Sequence, residues 1–490
     1  MRPVSRFLRC LPLLFLVLVF ACNETTEPLD LAGAPAALTV AGGNDQQGLA
    51  GTTLPQALVA RVLDLSDRPV PGVEVEWSTD AGSLAGVTSE SNAQGDATML
   101  LTLPGSTGSV TVTAIVADLD TVTFTATASP VAGQLVFRYV EVGSYHACAI
   151  TTAEESLCWG FNENGQVSDA AASPLAMTRS PGAATVRMTS AGRYHSCEVT
   201  LAGDVNCFGS NSEGQAAPGA PPSRIVAAGL LHSCALSLSK QVWCWGSNND
   251  GQLGNGLVEP GTSGVPDVVG DGYRAVTTTG LHTCALNDAG AAECWGWNAS
   301  GQLGDGSTTT RGSPFAIPGL TFRTEPNTVP PAPDPDFYIP GQSFISAGFA
   351  HTCGILADDA AVCWGEGENG QLGRGSTADS PIAVPVLGGY RYRAISAGYR
   401  HTCAITVDGD AHCWGDNALG QLGDGSQVST LTPVAVAGGF TWQSIGAGDT
   451  FSCGVTIGGT LYCWGDNVYG QLGSATPALS PEPLKLPFQP

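Results

Sequence analysis

One stretch of sequence decides the fold: Ala397-Gly398-Tyr399-Arg400-His401-Thr402-Cys403-Ala404-Ile405-Thr406, continued after six residues by Cys413-Trp414-Gly415-Asp416-Asn417-Ala418-Leu419-Gly420-Gln421-Leu422-Gly423. Its pattern is Gly-x-x-His-x-Cys, nine residues, Cys-Trp-Gly, then Asn-x-x-Gly-Gln. The pattern recurs seven times, and its opening glycines stand at positions 143, 192, 229, 280, 348, 398 and 448. Self-similarity at a period of about 50 residues, with a short second copy and a long fourth, predicts a repeat architecture.

The composition indicates which kind of repeat this is. The chain has 490 residues, 64 glycines and 32 prolines, and only 13% of its residues are charged. Glycine and proline mark the turns between many short strands, so we expect an all-β protein and not a helical bundle.

Ring closure would solve the packing problem of these repeats. Each copy supplies a few strands that cannot bury both of their faces alone, and closing the array into a ring removes free sheet edges. We expect Leu135 to Val142, before the first copy, and Pro483 to Phe488, after the last, to complete one shared blade.

The seven copies resemble the regulator of chromosome condensation repeat, whose members form seven-bladed β-propellers. The resemblance covers residues 135–490 and implies that fold for them. It implies no single activity, since similar propellers include a nucleotide-exchange factor for a nuclear GTPase and a secreted β-lactamase inhibitor.

The cysteines indicate an oxidising compartment. Sixteen are present; Cys10 lies in the apolar N-terminal segment, Cys22 follows that segment, and fourteen fall two per repeat at a spacing of ten. If each pair lies across a hairpin, the sulfurs are opposite and a disulfide can form. The predicted pairs are Cys148 and Cys158, Cys197 and Cys207, Cys234 and Cys244, Cys284 and Cys294, Cys353 and Cys363, Cys403 and Cys413, and Cys453 and Cys463.

Local sequence supports those hairpins. Glycine stands six residues after the first cysteine at positions 203, 290, 409 and 459, where a three-residue hairpin loop requires a left-handed residue. We expect about 2–3 kcal/mol from each bridge, because each closes a short loop. Free buried thiols and zinc are the alternatives, although the spacing lacks the Cys-x2-Cys unit of structural zinc sites.

The N-terminus has the pattern of an export signal. Arg2, Arg6 and Arg9 precede an apolar run from Leu11 to Phe20, as in a secretory signal, and the run is too short to span a bilayer as a helix. Val19-Phe20-Ala21-Cys22 resembles the bacterial lipobox, which implies cleavage of residues 1–21 and diacylglycerol on Cys22. Phe20 is larger than usual there, so ordinary signal cleavage stays an alternative.

The resemblance to bacterial lipoproteins also bears on location. Asn23 stands where such proteins of the inner membrane often carry Asp, which favours the outer membrane or the cell surface. Residues 22–35 are mostly small and polar and are predicted to be a tether.

A second module precedes the repeats. Residues 36–129 contain alternating β-rich runs between turns, as in a β-sandwich. The quoted runs are Leu58-Val59-Ala60-Arg61-Val62-Leu63-Asp64, Pro69-Val70-Pro71-Gly72-Val73, Trp77 and Asn92-Ala93-Gln94-Gly95-Asp96-Ala97. They resemble the bacterial immunoglobulin-like domains of the invasin and intimin type, which implies a stalk or spacer with Trp77 in its core.

Charge and motifs limit the function. A net charge of −24 repels phosphate backbones, so nucleic-acid binding is disfavoured. The sequence lacks a Gly-x-Ser-x-Gly elbow, a His-Glu-x-x-His helix and a phosphate loop in the exported part. We predict no catalytic, cofactor-binding or metal-binding residue, and no enzymatic activity.

One histidine position recurs and has two interpretations. It is occupied by His146, His195, His232, His282, His351 and His401, and by Phe451 in the seventh copy. A ring of imidazoles could bind a metal ion, but Phe451 favours a packing or hydrogen-bonding role. Interblade packing is also expected of the aromatic residue after the second cysteine, which is tryptophan except for Phe208 in the second copy.

The irregular parts of the array are the candidates for partner contact. The fourth copy carries about 18 extra residues between Arg323 and Phe344, a proline-stiffened loop with aromatic and acidic side chains. The candidate residues are Pro330, Pro331, Asp334, Asp336, Phe337 and Tyr338. A passive solvent loop is the alternative.

We therefore expect an extracytoplasmic recognition protein, anchored to the membrane by lipid, whose propeller loops bind a protein or glycan. The alternatives are a secreted-type enzyme inhibitor and a purely structural protein of the cell envelope. Nucleotide exchange is disfavoured because export separates the chain from cytoplasmic GTPases. Clustering on one face of residues that differ among the copies would favour recognition, and uniform scatter would favour a structural role.

Overall fold

The computed structural model describes residues 33–49, 53–54, 56–103, 108–129, 135–167, 177–181, 185–258, 261–324, 344–474 and 477–486. The chain divides into two compact units, Met1–Val131 and Ala132–Pro490. Its regular secondary structure in these ranges is all β, which confirms the predicted class. Among the described residues there is no helix long and apolar enough to cross a membrane. The predicted signal segment, Cys22 and most of the tether lie outside these ranges.

The first unit has two main sheets around one core. Its strands are β1 (Ala37–Gly42), β2 (Gln46–Leu49), β3 (Leu58–Leu63), β4 (Glu74–Thr79), β5 (Ser83–Leu84), β6 (Thr88–Glu90), β7 (Asp96–Met99), β8 (Leu101–Thr102), β9 (Gly108–Ile115) and β10 (Val122–Ser129). The sheet orders are β1-β3-β7 and β2-β10-β9-β4-β6, with a small β5-β8 pair. Strand residues alternate between core and solvent, and Val62, Trp77 and Phe124 belong to one buried cluster.

The second unit consists, in the described residues, of seven antiparallel sheets in chain order, which we number one to seven. Sheets one to three are β11 (Phe137–Val142), β12 (His146–Thr151), β13 (Ser156–Gly160) and β14 (Thr178–Arg179); β15 (Val186–Ala191), β16 (His195–Thr200) and β17 (Val205–Gly209); and β18 (Ser223–Ala228), β19 (His232–Ser237), β20 (Val242–Ser247) and β21 (Thr262–Gly270). Sheets four and five are β22 (Tyr273–Thr278), β23 (His282–Asn287), β24 (Ala292–Gly296) and β25 (Arg311–Ala316); and β26 (Ile345–Ala347), β27 (His351–Ile355), β28 (Ala361–Gly365) and β29 (Ser380–Pro385). Sheets six and seven are β30 (Tyr392–Ala397), β31 (His401–Thr406), β32 (Ala411–Gly415) and β33 (Thr430–Ala435); and β34 (Trp442–Ala447), β35 (Phe451–Thr456), β36 (Leu461–Asp466) and β37 (Leu479–Lys485).

The ring closes differently from the prediction. β11 pairs with β12 inside sheet one, and β37 pairs with β36 inside sheet seven, so the expected shared blade is wrong. Each repeat already brings its own inner strand before the glycine, and every repeat except the second brings its own outer strand after the Gly-Gln loop. Closure comes from packing of sheet one on sheet seven, where the Val140 amide donates to Ser444 Oγ (3.3 Å) and Gln443 Nε2 donates to the Arg138 carbonyl (2.8 Å).

The fourth copy also departs from the pattern. Thr279 stands at the position of the opening glycine, and Gly280 follows it, one residue closer to the histidine than in the other copies.

Strand order gives the ring two faces. One face, which we call the upper face, carries the turns between first and second strands and the loops between third and fourth strands. The lower face carries the turns between second and third strands and the links from each sheet to the next. Residues of the same repeat position therefore lie at the same height around the ring axis.

The outer strands carry prolines. Pro266 lies in β21, Pro314 in β25, Pro433 in β33, and two prolines lie in each of β29 and β37. Proline has no amide proton for a further strand, so it blunts a sheet edge. Sheet one has no proline in its short outer strand, and sheet two has no outer strand, because the short second copy supplies three strands and leaves β17 at the edge. For this reason Cys207 and Phe208 are only half-buried, whereas their counterparts elsewhere are buried.

Candidate functional site

Each sheet holds its predicted cysteines directly opposite each other on the second and third strands, as in the Cys403 and Cys413 register pair. All seven pairs have sulfurs 1.99–2.12 Å apart and Cα atoms 4.0–4.1 Å apart. The turn glycines at 203, 290, 409 and 459 have positive φ, as their hairpins require. The disulfides therefore join the two central strands of every sheet and lie away from the loops.

The recurring histidines join neighbouring sheets. His401 Nε2 lies 2.8 Å from Ser452 Oγ of the next sheet, and that hydroxyl donates to the Gln421 carbonyl at 2.9 Å. Trp464 Nε1 donates to the same carbonyl. Because the hydroxyl gives its only proton to the carbonyl, the imidazole must be the donor at Nε2. The Gln of the Asn-x-x-Gly-Gln loop is thus an acceptor for the following sheet.

Six sheet junctions share this arrangement, with Nε2-to-hydroxyl distances of 2.7–2.9 Å. The pairs are His146 with Ser196, His195 with Ser233, His232 with Thr283, His282 with Thr352, His351 with Thr402, and His401 with Ser452. Burial lowers the pKa of each of these histidines from 6.5 to about 3 or about 4, so they are neutral at physiological pH. Among the described residues no group of three or more His, Cys, Asp or Glu side chains is arranged to hold a metal ion.

The seventh junction is apolar. Phe451 replaces the histidine of sheet seven, and Ala147 of sheet one replaces the hydroxyl residue it would meet. Both are fully buried in one hydrophobic cluster. Trp159 Nε1 still donates to the Gln471 carbonyl at 2.8 Å, so the tryptophan contact is kept while the histidine contact is lost on both sides at once.

Two variable positions are brought together on the upper face of every sheet. The amide after the Cys-Trp-Gly glycine donates to the carbonyl of the residue before the histidine, as from Phe161 to Tyr145 at 3.0 Å. The seven such donors are Phe161, Ser210, Ser247, Trp297, Glu366, Asp416 and Asp466, and their acceptors are Tyr145, Tyr194, Leu231, Leu281, Ala350, Arg400 and Thr450. Each position holds five residue types in the seven copies, and no two copies carry the same pair, while the backbone that presents them repeats.

The glycine of Cys-Trp-Gly, beside this hydrogen bond, cannot be replaced by another residue without strain. Gly415 has φ +107°, and a Cβ there would lie 2.5 Å from the Arg400 carbonyl oxygen. The equivalent glycines of the other sheets have φ between +100° and +108°. Only glycine adopts this conformation at little energetic cost, so the scaffold is fixed and the neighbouring side chains are free to vary.

Aromatic side chains lie at or near these positions over sheets seven, one and two, with Tyr469 contributed by the Asn-x-x-Gly-Gln loop of sheet seven. The Tyr145 ring centroid lies 6.1 Å from Phe161, 6.3 Å from Tyr194 and 5.6 Å from Tyr469. Phe161 and Tyr469 meet edge to face at 5.0 Å. Arg193 lies over the rings of Tyr145 and Tyr194 at 5.6 and 5.2 Å, a cation–π arrangement.

An acid is held inside this group. Asp449 lies near the Tyr145 hydroxyl. Burial raises the pKa of the Tyr145 phenol to about 12, with the nearby Asp449 charge as a further cause. Burial likewise raises the pKa of Asp449, against the nearby Tyr145 hydroxyl and the charges of Arg193 and Arg400.

A second aromatic group covers sheets four, five and six. Phe349 stacks on Tyr399 at 3.9 Å and meets Trp297 at 6.2 Å, and Arg400 lies 5.4 Å from the Tyr399 ring centre. Burial raises the pKa of Glu366, and the neighbouring acids Glu368 and Asp379 raise it further. We call the two groups together the aromatic crown: Tyr145, Phe161, Tyr194, Tyr469, Trp297, Phe349 and Tyr399.

The crown was not predicted from the sequence, although its signal is present there. Four of its residues occupy the positions before the histidine or after Cys-Trp-Gly: Tyr145, Tyr194, Phe161 and Trp297. Phe349 and Tyr399 follow the opening glycine, and Tyr469 lies in the Asn-x-x-Gly-Gln loop. The predicted partner residues Pro330, Pro331, Asp334, Asp336, Phe337 and Tyr338 lie outside the described residues. The described ends of that loop, Arg323 and Phe344, belong to the link between sheets four and five, on the lower face and away from the crown.

The repeats match a known family. The Regulator of chromosome condensation (RCC1) repeat matches residues 137–166, 189–215, 224–252, 343–371, 392–421 and 442–471, and a second description of the same repeat matches residues 361–405, 408–455 and 458–490. No curated protein matches the chain.

Solved structures agree on the fold. Human WBSCR16 is 20% identical with a TM-score of 0.53, over 63% of this chain and 83% of that one. Prp20p from Saccharomyces cerevisiae, studied with Gsp1p and histones, is 19% identical with a TM-score of 0.56, over 70% of this chain and 87% of that one. The chain therefore carries regulator of chromosome condensation repeats, and its second unit is a β-propeller of that repeat type.

Proposed function

We propose that this chain is a recognition protein of the cell envelope, not an enzyme, and that a seven-bladed propeller binds a partner protein through the aromatic crown. The observation that carries the proposal is that aromatic, arginine and acidic side chains from several repeats converge on the upper face. A purely structural ring would not need aromatic, arginine and acidic side chains concentrated where the scaffold leaves its residues free. Tyrosine, tryptophan and arginine are the residues that dominate binding energy at protein interfaces.

Charge indicates the kind of partner. Glu366, Asp416, Asp449 and Asp466 lie among the crown residues, against Arg193 and Arg400, and the whole chain carries −24. Acidic groups beside aromatic rings suit lysine and arginine side chains, through ion pairs and cation–π contacts. We therefore infer a partner protein with exposed basic residues, and the same charge disfavours nucleic acid.

We also propose that the chain is exported and anchored by a lipid on Cys22, with residues 36–129 as an immunoglobulin-like spacer. Seven cysteine pairs at bonding distance support an oxidising compartment, and the arginine-led apolar run before Cys22 supports export. Intact-mass measurement of the protein from its native host, before and after reduction, tests this. A diacylglycerol mass on Cys22 and seven reducible bridges are expected, and an unprocessed N-terminus with fourteen free thiols would contradict it.

Two tyrosines of equal exposure test the crown. Tyr469, in the crown, is 39% exposed, and Tyr390, on the lower face between β29 and β30, is 41% exposed. Partners would be captured from envelope fractions with each Tyr→Ala variant and the parent protein as bait, then titrated individually. We expect Tyr469→Ala to weaken binding at least about tenfold and Tyr390→Ala to leave it unchanged. Equal binding by all three proteins, or loss only with Tyr390→Ala, would refute the crown as the binding surface.

A further inference from the structure

Sheet two ends in a strand edge that has no partner strand in the described part of the chain. Its last strand, β17, includes the exposed Asn206 and half-buried neighbours, whereas all five residues of β32 in sheet six are buried. The Cα atoms of Cys197 and Cys207 lie 4.0 Å apart, the close spacing of a non-hydrogen-bonded pair, so the backbone amide and carbonyl of Cys207 point away from β16. Those of Val205, two residues earlier, point the same way.

The link between β17 and β18 covers this edge only in part. Its Ala217 and Ala220 pack on the same hydrophobic cluster as Val205 and Cys207, and both alanines stay partly exposed. Within the described ranges, no backbone hydrogen bond joins this link to Val205 or Cys207. Sheet two therefore keeps outward-pointing backbone groups of the kind that a further strand pairs with.

The outer strands of other sheets show which sequence pairs there. In sheets six and seven it is Ser/Thr-x-x-Pro-aliphatic-x-aliphatic, at residues 430–436 and 480–486. In sheet six the first aliphatic residue, Val434, lies opposite the second cysteine. The last one, Val436, is buried, and its amide donates to the Ala411 carbonyl at 2.9 Å. The proline stands at the alternate position, where its missing amide proton costs no hydrogen bond to the sheet.

The same pattern occurs at one other place in the 490 residues, Thr25-Thr26-Glu27-Pro28-Leu29-Asp30-Leu31. This segment belongs to the predicted tether and lies outside the described residues. It matches the pattern better than the outer strands of sheets three, four and five, which depart from it at Asp267, at Arg311 with Phe315, and at Ala383. In the register of sheet six, Leu29 would lie opposite Cys207, and the Leu31 amide would donate to the Val205 carbonyl.

We propose that residues 25–31 of a second copy of this chain add to β17 as the fourth strand of sheet two. The segment directly precedes the folded first unit, where the Gly33 amide donates to Asp64 Oδ2 at 2.8 Å, so it is a terminal arm. Exchange of such an arm between copies is a low-cost route to association. Main-chain hydrogen bonds would supply the affinity, and the two leucines would supply the specificity.

Every copy carries both the arm and the edge, so each one gives a strand and accepts another, and the copies join head to tail. The proposed contact does not involve the aromatic crown. Its failure and the failure of the recognition proposal are therefore distinguishable.

A peptide of residues 23–32 tests the edge. The receiver is the full chain with Leu29→Asp and Leu31→Asp, because a carboxylate placed on an apolar surface keeps its own arms from competing. A fluorescent peptide of the natural sequence should bind saturably in an anisotropy titration. Methylation of the Leu29 and Leu31 amide nitrogens should weaken binding at least about tenfold.

Methylation of the Asp30 amide nitrogen is the matched control. In the proposed register this amide points away from β17, so binding should stay within about twofold of the natural peptide. Absence of saturable binding by the natural peptide, or an equal loss with the methylated Asp30, would overturn strand pairing at this edge.

Sedimentation velocity tests exchange between copies. The exported chain with Cys22→Ser, which cannot carry a lipid, should gain mass with concentration over about a hundredfold range, and addition of Leu29→Asp with Leu31→Asp should keep it monomeric. Leu65→Asp is the matched control, since Leu65 is a 95% exposed leucine of the first unit, and it should associate like the parent. A monomeric parent, or association that survives the two tether substitutions, would overturn the proposal.

Photo-cross-linking identifies the partner strand. A benzophenone amino acid at Thr26, in a mixture of isotopically light and heavy chains, should join the arm of one label to the β17 peptide of the other. Cross-links to a different peptide, or only between peptides of the same label, would overturn exchange between copies.

Discussion

Replacing His401 by Phe together with Ser452 by Ala would copy the apolar seventh junction into the sixth. Phe451 and Ala147 show that this pair fits the scaffold, since the Phe451 ring lies against Gly448 at the same approach, about 3.0 Å from a Cβ built there, as the histidine rings against their own glycines. We expect the double variant to fold and to resist acid better than the parent protein, because it removes one buried neutral imidazole.

The magnitude follows from the pKa of His401, which burial lowers from 6.5 to about 4. The folded-state pKa lies below the unfolded value, so the unfolded chain binds more protons between pH 6.5 and pH 4. The stabilising effect of the neutral histidine is therefore complete above pH 6.5 and is lost as the pH falls through that window. At pH 5 the loss from this one histidine is about 2 kcal/mol in the free energy of unfolding.

Each single variant should be less stable to unfolding than the double variant. Ser452→Ala leaves the His401 Nε2 proton buried without an acceptor, which costs about 1–3 kcal/mol. His401→Phe leaves the Ser452 hydroxyl bonded to the Gln421 carbonyl, so its cost should be smaller. The two changes touch one hydrogen-bonded pair, and a double-mutant cycle should give a favourable coupling of about 1 kcal/mol or more.

The assay is guanidinium unfolding of the oxidised protein at pH 7.5 and pH 5.0, followed by tryptophan fluorescence. Nine of the ten tryptophans lie in the second unit and one, Trp77, lies in the first, so the signal reports mainly on the propeller. Between the two pH values the double variant should lose about 2 kcal/mol less than the parent. His195→Phe with Ser233→Ala, at the second junction, is the matched repeat. Equal acid losses in the parent and both double variants would refute the reasoning.

Two further outcomes test the scaffold. Gly415→Ala should lower the free energy of unfolding by about 2 kcal/mol or more, because the φ of Gly415 is +107° and an added Cβ would meet a carbonyl oxygen. Gly264→Ala is the control, since nothing lies within 4 Å of a Cβ built there. An equal effect of both substitutions in denaturant unfolding would contradict the argument. The Cys197–Cys207 bridge should be the first to be reduced in a graded series of dithiothreitol concentrations, since sheet two lacks an outer strand and Cys207 is half-buried. Alkylation of the free thiols and peptide mass mapping would identify the bridge that opens first. Earlier reduction of another bridge would count against solvent access as the cause.

Repetition made much of the scaffold predictable. The spacing of ten between cysteines and the glycine after six fixed both strands and the turn of each central hairpin, and each pair is found directly opposite. The place where one sheet ends and the next begins was not predictable in the same way, because a repeat has no natural first residue. For that reason Leu135 to Val142 and Pro483 to Phe488 were expected in one blade, whereas their strand residues, Phe137–Val142 and 483–485, lie in two different sheets.

The arrangement of the crown depends on three-dimensional neighbours. Tyr469 contacts Tyr145 only because the ring closes, since nearly the whole repeat array lies between these two residues along the chain. The loop at Pro330 to Tyr338 remains a prediction, and the proposed recognition surface lies with other residues.

The apolar junction between Phe451 and Ala147 also constrains how such a ring can change in size. A histidine in one repeat always meets a hydroxyl in the next, so an internal repeat can be duplicated or deleted and every remaining pair still matches. Deletion of the last repeat would instead place the buried imidazole of His401 against Ala147, with no acceptor for its proton. The first and last repeats are therefore not interchangeable with the others, and this ring can gain or lose a copy without a mismatched junction only from within the array.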